Sequence, residues 1–120
     1  MSDEYIIYSY SRKQAIEDGV LIDVSERAKQ FGVKYPLAIT DTLWTRFITN
    51  PYYQVNEAGK LSDVLMMFVW AARKIAGNEV HFKVLFATET GHNEEVGLWA
   101  FIGIGDTPEP VITIMAEDED

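Results

Sequence analysis

Residues 80–87 read Val-His-Phe-Lys-Val-Leu-Phe-Ala, and this stretch decides the fold class. Large apolar side chains recur in it at every second position, those of Val80, Phe82, Val84 and Phe86. A period of two is typical of a strand that buries one face, because successive side chains in a strand point to opposite sides. The stretch therefore predicts a strand with one face in the core of the protein.

Two further strands are predicted after the first. Residues 96–104 alternate in the same way, and residues 111–115 are rich in β-branched side chains. The segments between the three candidate strands are short and have the composition of loops. Short connections join antiparallel neighbours, since a parallel return needs about a dozen residues or more. The last third of the chain is thus predicted to form a three-stranded antiparallel meander.

A long helix is predicted before the meander. Residues 64–72 are nine consecutive apolar residues, with Ser62 as a suitable N-cap and Gly77 as a suitable stop. Because the run is apolar nearly all round, we expect other elements to cover more than one face of this helix and Trp70 to be a packing residue. A membrane-spanning helix would need about 20 such residues, so no membrane association is expected.

Shorter elements are predicted in the N-terminal half. Ser11, Ser25 and either Thr40 or Asp41 are candidate N-caps of three short helices. The helices are expected at residues 12–18, at residues 26–31 and from the third cap to Ile48, with extended segments at residues 5–10 and 20–24 and the longest loop at residues 51–60.

The predicted fold class is α+β in a single domain, residues 1–120. Short N-terminal helices and one long buried helix are expected to pack on the C-terminal three-stranded antiparallel meander, which N-terminal strands can extend. Residues 116–120, Ala-Glu-Asp-Glu-Asp, are expected to form an acidic frayed tail because neighbouring like charges repel one another.

The charge of the chain is concentrated at its C-terminal end. The net charge is −9, and residues 1–83 are neutral because they contain ten acidic and ten basic side chains. An excess of carboxylates opposes direct binding to nucleic acid, which depends on Lys and Arg. Acidic loops can serve solubility alone. The alternative is an acidic edge that binds a basic partner, and its candidate residues are Glu89, Glu94, Glu95, Asp106 and Glu109.

The residue inventory excludes several kinds of site. The absence of cysteine rules out disulfides, thiolate catalysis and zinc sites that need sulfur. No nucleophile elbow and no dinucleotide fingerprint is present. We therefore assign no catalytic residue, no metal and no cofactor.

Tyr10, Arg12 and Asp23 belong to the densest polar group in the sequence and form an alternative ligand site. The competing explanation is structural. In that explanation Asp18 closes a helix, Asp23 or Ser25 caps the next, and Arg12 pairs with one of the carboxylates.

Residues 7–25, Ile-Tyr-Ser-Tyr-Ser-Arg-Lys-Gln-Ala-Ile-Glu-Asp-Gly-Val-Leu-Ile-Asp-Val-Ser, resemble the signature of a family of small uncharacterised proteins carried on bacterial plasmids, phages and other mobile elements. The resemblance continues through residues 36–40, 61–66, 82–85 and 110–115, so it covers essentially the whole chain. The family has no established activity. The resemblance therefore implies a genomic setting and no particular reaction.

These observations lead to one expected function and two alternatives. We expect a non-enzymatic acidic protein of a mobile element that inhibits a basic host protein, a nucleic-acid-binding or defence protein, by presenting carboxylates in place of phosphates. The acidic N-terminus without an apolar leader predicts a cytoplasmic location. The first alternative is a small enzyme or ligand-binding accessory protein that uses Tyr10, Arg12 and Asp23, and the second is a housekeeping module whose acidic end confers solubility. The sequence leaves the oligomeric state open.

Overall fold

The computed structural model describes residues 11–119, which form a five-stranded sheet with a long helix on one face. The elements follow one another as α1 (Arg12–Glu17), β1 (Leu21–Asp23), α2 (Ser25–Lys29), β2 (Leu37–Thr40), α3 (Asp41–Leu43) with a π-helical turn (Trp44–Ile48), α4 (Glu57–Ala72), β3 (Glu79–Ala87), β4 (Asn93–Ile104) and β5 (Pro110–Ala116). The extended segment expected at residues 5–10 lies outside the described residues.

The sheet is mixed and has the strand order β1-β2-β5-β4-β3. The antiparallel pairs β3 with β4 and β4 with β5 form the predicted meander. The meander is only part of the sheet, however, because β5 also pairs in parallel with β2, and β1 pairs antiparallel with β2. The three-stranded prediction is therefore corrected to five strands. Leu37, Ala38 and Ile39 of β2 are all fully buried, so their sequence lacks the alternation that marks a strand with one exposed face.

The core lies between α4 and the sheet. Val80, Phe82, Val84 and Phe86 of β3 are buried in the predicted alternation. Phe68 of α4 is 3% exposed, and its ring centroid lies 6.0 Å from that of Phe82. The period-two stretch and the apolar helix are thus packing partners, as the sequence indicates.

The bounds of α4 differ from the prediction at both ends. The helix begins at Glu57 because the Asn56 side chain accepts a hydrogen bond from the Gly59 N–H at 2.8 Å. Ser62, the predicted cap, lies inside the helix, where its hydroxyl donates to the Ala58 carbonyl at 2.9 Å. The helix ends at Ala72, well before Gly77. The last four residues of the loop predicted at residues 51–60 are consequently helical.

The outer face of α4 is not covered, in contrast to the expectation. Trp70 is 54% exposed, and Met66 is also exposed. The sheet covers one side of the helix, which buries Val64, Leu65 and Phe68. The apolar residues of α4 are therefore buried only on the side that the sheet covers. Trp70 lies on the other side and is not a core residue.

The short helices confirm most of the predicted caps. Ser11 forms a capping box with Gln14, and Gly19 follows with a φ of 80° that favours glycine. Thr40 caps α3 by accepting a hydrogen bond from the Leu43 N–H at 3.2 Å. Ser25 is not a standard cap, because it is the first residue of α2 and its hydroxyl accepts from the Leu37 N–H at 3.0 Å.

The described residues after β5, up to position 119, form hydrogen bonds with the end of the sheet. Ala116 is buried and pairs with Leu98. One carboxylate oxygen of Glu119 accepts from the Ala116 N–H at 2.7 Å and from the Thr40 hydroxyl at 2.8 Å. The carboxylates of Asp118 and Glu119 accept hydrogen bonds from donors beside them, and these contacts offset the mutual repulsion of the acidic residues.

Replacing Phe68 with alanine is expected to cost about 3 to 5 kcal/mol of unfolding free energy, because it leaves a cavity against Phe82. Phe101→Ala is a matched control, since Phe101 is 39% exposed. The control should cost about 1 kcal/mol. Thermal and urea denaturation measure both losses, and equal losses would contradict the assigned packing of α4 on β3.

Replacing Glu119 with alanine should destabilise the protein by about 1 kcal/mol, because the change leaves the Ala116 N–H and the Thr40 hydroxyl without this acceptor. The exposed Glu109 provides the control, and its replacement with alanine should change stability by less than about 0.5 kcal/mol. Urea midpoints compare the two variants. Indistinguishable midpoints would show that the C-terminal contacts contribute nothing to folding.

Candidate functional site

A polar groove of about 520 Å³ lies where the β3–β4 hairpin meets the residues that follow β5. We call it the acidic groove because four carboxylates line it, those of Glu94, Glu95, Glu117 and Asp118, together with Arg46 and Tyr53. Glu94 and Glu95 belong to the edge predicted from the sequence. The other four residues come from segments that the sequence did not connect with it.

Tyr53 holds one wall of the acidic groove. Its side chain is 6% exposed and packs against the rings of Phe47 and Phe86, with centroid distances of 5.8 and 5.5 Å. The Tyr53 hydroxyl donates to Glu94 at 2.6 Å. Burial, and then the hydrogen bond and charge of Glu94, raise the pKa of Tyr53 well above its ordinary value. Tyr53 therefore remains a donor and fixes the Glu94 carboxylate in place.

Lys60 in turn holds the segment that carries Tyr53. The side chain is 3% exposed, and its ammonium donates to the carbonyls of Asn50 at 3.1 Å and Tyr53 at 3.4 Å. Burial lowers the pKa of Lys60, and the charge of Glu57 opposes this shift only in part. A buried cation on α4 thus positions a hydrogen-bond donor to the acidic groove.

Arg46 and Asp118 form an ion pair that also lines the acidic groove. The guanidinium donates to the Asp118 carboxylate at 2.9 Å, and its Cζ lies 5.0 Å from the centroid of the Phe47 ring. The hydrogen bond lowers the pKa of Asp118, and it also raises the pKa of Arg46. The pair is exposed, so it contributes little stability, but it orients both side chains.

Glu95 and Glu117 are two further exposed carboxylates of the acidic groove. Glu95 lies 3.3 Å from the ammonium of Lys83 on the neighbouring strand. Glu117 donates its N–H to the Gly97 carbonyl at 3.0 Å. A Cβ atom on Gly97 would lie 2.8 Å from the Glu117 carboxylate, so a side chain at position 97 would displace it. Gly97 therefore leaves room for Glu117 to lie over the strand.

The structure separates the five residues predicted as an acidic edge. Glu89 lies in the hairpin at the same end as Glu94 and Glu95, whereas Asp106 and Glu109 lie in the β4–β5 loop at the other end of β4. The strand has 12 residues and is therefore about 36 Å long. One partner segment that fits the acidic groove does not reach both groups.

Asp106 has a structural contact at its own end of the sheet. Its carboxylate accepts the N–H groups of Arg12 at 2.8 Å and Lys13 at 3.0 Å, at the start of α1. Two backbone donors at the first turn of a helix are satisfied in this way. Asp106 therefore joins the β4–β5 loop to α1.

The alternative ligand site is only partly assembled among the described residues, and Tyr10 lies outside them. The Arg12 guanidinium donates to the Thr113 hydroxyl at 2.8 Å and to the Ile112 carbonyl at 2.7 Å. Burial lowers the pKa of Arg12, although the charges of Asp23 and Asp106 oppose this shift. Asp23 accepts the Ser25 N–H at 3.0 Å. A groove of about 290 Å³ lies beside Arg12, but these contacts join α1 to the sheet.

Two further kinds of feature are absent from the described part of the chain. Within residues 11–119, no three histidine or carboxylate side chains form a group that could hold a metal ion. In the same range no helix has the length and apolar character needed to cross a membrane. His92 contacts Thr90 through Nδ1 at 2.7 Å within the hairpin.

Comparison with known proteins gives one match. A family model described as "Family of unknown function (DUF6573)" matches residues 2–120. No curated protein and no solved structure matches the chain.

Replacing Tyr53 with phenylalanine should lower the unfolding free energy by about 1.5 kcal/mol, because the change removes a hydrogen bond to a charged acceptor. Tyr52, which is 39% exposed, provides the matched control. Tyr52→Phe should change stability by less than about 0.5 kcal/mol. Equal urea midpoints for both variants would show that the Tyr53 hydroxyl does not hold Glu94.

Proposed function

The chain belongs to the family of unknown function DUF6573, and we propose that it is a non-enzymatic interaction protein whose acidic groove binds a basic segment of another protein. The observation that carries the proposal is the placement of four carboxylates around one groove that has a single basic residue, Arg46, among its lining side chains. Lysine and arginine side chains of a partner are the donors that carboxylates prefer.

The carboxylates of the acidic groove fall into two functional pairs. Glu94 and Asp118 are already held, the first by Tyr53 and the second by Arg46. Glu95 and Glu117 are exposed. Glu95 forms an ion pair with Lys83, which is also exposed, and a partner's cation can replace so weak a pair. A surface in which half of the acceptors are positioned before binding loses less side-chain entropy when the partner arrives.

The overall charge supports the same partner class. All of the excess negative charge lies beyond Lys83, and the acidic groove is built mainly from that part of the chain. Such a field attracts a basic protein over a Debye length of about 8 to 10 Å at physiological salt, and it repels nucleic acid. Binding should therefore be fast and sensitive to ionic strength.

The second part of the proposal identifies the class of partner protein. We place the protein in the bacterial cytoplasm as the product of a plasmid, phage or other mobile element that inhibits a host nucleic-acid-binding or defence protein. The carboxylates of the acidic groove would occupy the basic surface that otherwise binds phosphates. The support is the charge sign together with the genomic setting that the sequence resemblance implies.

A ligand-binding or enzymatic function at Tyr10, Arg12 and Asp23 has weaker support. The guanidinium of Arg12 donates to β5, and the Asp23 carboxylate accepts from Ser25. Side chains that serve the fold in this way have fewer free donors and acceptors for a ligand. A bound small molecule beside Arg12 in a crystal of the protein would reverse this ranking.

The charge-reversal pair Glu95→Lys and Glu117→Lys tests the proposal, because both side chains are exposed and line the acidic groove. The matched control is Glu17→Lys with Glu109→Lys, which makes the same change in net charge at exposed positions away from the groove. The assay measures the affinity of each protein for a synthetic Lys- and Arg-rich peptide, and then for a basic protein captured from bacterial lysate. We expect the groove variant to lose at least about tenfold in affinity, which is about 1.4 kcal/mol, and the control to lose much less.

The salt dependence and a competition assay complete the test. Parent binding should weaken strongly between about 50 and 500 mM NaCl. The parent should displace nucleic acid from the captured protein, and the groove variant should not. Equal losses for the groove and control variants would show that only bulk charge acts, and that result would overturn the proposed site.

A further inference from the structure

The outer edge of β3 is free over most of its length in the part of the chain that the structure describes. The Ile102 N–H donates to the Asn78 carbonyl at 2.8 Å, and the Thr88 N–H donates to the His92 carbonyl at 2.9 Å. The even-numbered residues of this segment therefore point their N–H and C=O groups toward β4, and the odd-numbered residues point theirs outward. The outward residues without a strand partner in residues 11–119 are Glu79, His81, Lys83 and Leu85.

Only the far end of this edge is covered. The Gln54 N–H donates to the Ala87 carbonyl at 3.0 Å, and Tyr53 forms an isolated antiparallel bridge with Thr88. The edge therefore already accepts an antiparallel neighbour at one end. An exposed strand edge of this length is a template for pairing with another chain.

A strip of α4 runs along the same edge. Asp63, Met67 and Trp70 are spaced by four and three residues, so they lie on one side of the helix, and Lys74 follows in the turn just after its end at Ala72. Met67, Trp70 and Lys74 line a cavity of about 290 Å³ together with His81 and Phe82 of β3. Trp70 is 54% exposed there and Ile75, which lines the same cavity, is 44% exposed, and neighbouring exposed apolar side chains of this kind mark interaction sites.

We infer that a second copy of the chain covers this surface, forming a two-fold symmetric dimer in which the two β3 strands pair antiparallel about Phe82 and the two α4 helices pack beside each other. Antiparallel pairing about Phe82 places Glu79 opposite Leu85 of the second copy and His81 opposite its Lys83. All four outward residues of each strand then find backbone partners, with about eight hydrogen bonds in total. Pairing about Lys83 instead would place the two Lys83 ammonium groups opposite each other, which is unfavourable.

The strip on α4 is self-complementary about the same axis. In antiparallel helices related by a two-fold between Phe68 and Val69, Met67 lies opposite Trp70 of the second copy. Asp63 then lies beside the turn that carries Lys74 of the second copy. The rings of Phe68 and Phe82 are 6.0 Å apart, so the centre of the helix pairing and the centre of the strand pairing are at the same level. A single two-fold axis serves both elements, and this agreement carries the inference.

The charges of the molecule favour this arrangement. Burial raises the pKa of Asp63, and none of the ion pairs among the described residues involves it. Lys74 of the second copy would supply the missing counter-charge. Antiparallel pairing also places the two acidic grooves at opposite ends of the joined sheet, which separates the most negative surfaces. The dimer does not depend on what the acidic groove binds.

Sedimentation velocity at protein concentrations between about 1 and 200 µM tests the dimer in variants that exchange the charges at positions 63 and 74. Asp63→Lys and Lys74→Asp should each raise the dimer dissociation constant at least about tenfold, because each places like charges in both symmetric pairs. The double variant should return to within about threefold of the parent. Asp63 and the end of α4 at Ala72 are about 13 Å apart along the helix, and Lys74 lies beyond that end, so this rescue would arise between copies. Lys34→Asp is the matched control and should leave the association unchanged.

Residue-resolved amide exchange distinguishes this interface from any other dimer. The amides of Glu79, His81, Lys83 and Leu85 should exchange more slowly as concentration rises, while circular dichroism checks that each variant stays folded. A parent that remains monomeric up to about 200 µM would overturn the inference. A dimer whose dissociation constant is unchanged by the charge exchange would also overturn it, and so would a dimer that leaves the four amides unprotected. If only an added extended peptide protects these amides, the edge binds another partner and the inference fails.

Discussion

The pairing of β5 with strands on both sides is the contact on which the rest of the structure depends. β5 lies at the centre of the sheet, antiparallel to β4 and parallel to β2. Its residues Ile112 and Ile114 are buried in the core, and the Ile112 carbonyl and Thr113 hydroxyl hold Arg12 of α1. One strand from the C-terminal third therefore organises the N-terminal third. Without it, β1 and β2 would be a short two-stranded ribbon, which is not stable alone.

The acidic groove is a consequence of the same strand. Residues 117 and 118 leave β5 beside Gly97 and Arg46, at the end of the sheet where the β3–β4 hairpin places Glu94 and Glu95. This surface is supported by packed groups beneath it. The rings of Phe86 and Phe47 pack against Tyr53, and the buried ammonium of Lys60 donates to the Tyr53 carbonyl. A negatively charged surface is thus positioned by an aromatic cluster and an interior cation. The cation is far enough inside that its charge is not displayed to a partner.

The sequence predicts those parts of the fold that depend on residues close together in the chain. The alternation of Val80 to Phe86 and the apolar run around Phe68 are local periods, and both led to the correct core face. The caps at Ser11 and Thr40 are also local. The parallel pairing of β2 with β5 joins residues more than 70 positions apart, and nothing in either short segment encodes the register. The start of α4 was misplaced because Gly59 resembles a loop residue, whereas the Asn56 cap and the burial of Lys60 outweigh the low helix propensity of glycine.

The candidate site shows the same division between local and distant information. Glu94 and Glu95 could be named from charge alone. Tyr53, Arg46 and Asp118 could not be assigned to the site, since only the folded chain brings residues 46, 53 and 118 to one groove. Asp106 has the same charge as Glu94, and only its contacts with the N–H groups of Arg12 and Lys13 distinguish a helix-capping carboxylate from one available to a partner.

The central position of β5 has a consequence for how the protein is made. A nascent chain acquires β2 early, but the parallel neighbour of β2 does not exist until the ribosome has added roughly 70 more residues. During that interval the fully apolar segment Leu37–Ile39 has no sheet to enter, while α4 and the β3–β4 hairpin can already associate through contacts close in sequence. Folding should therefore begin in the second half of the chain and incorporate the first half last. The N-terminal third would remain exposed to proteases and chaperones until synthesis of β5 is complete.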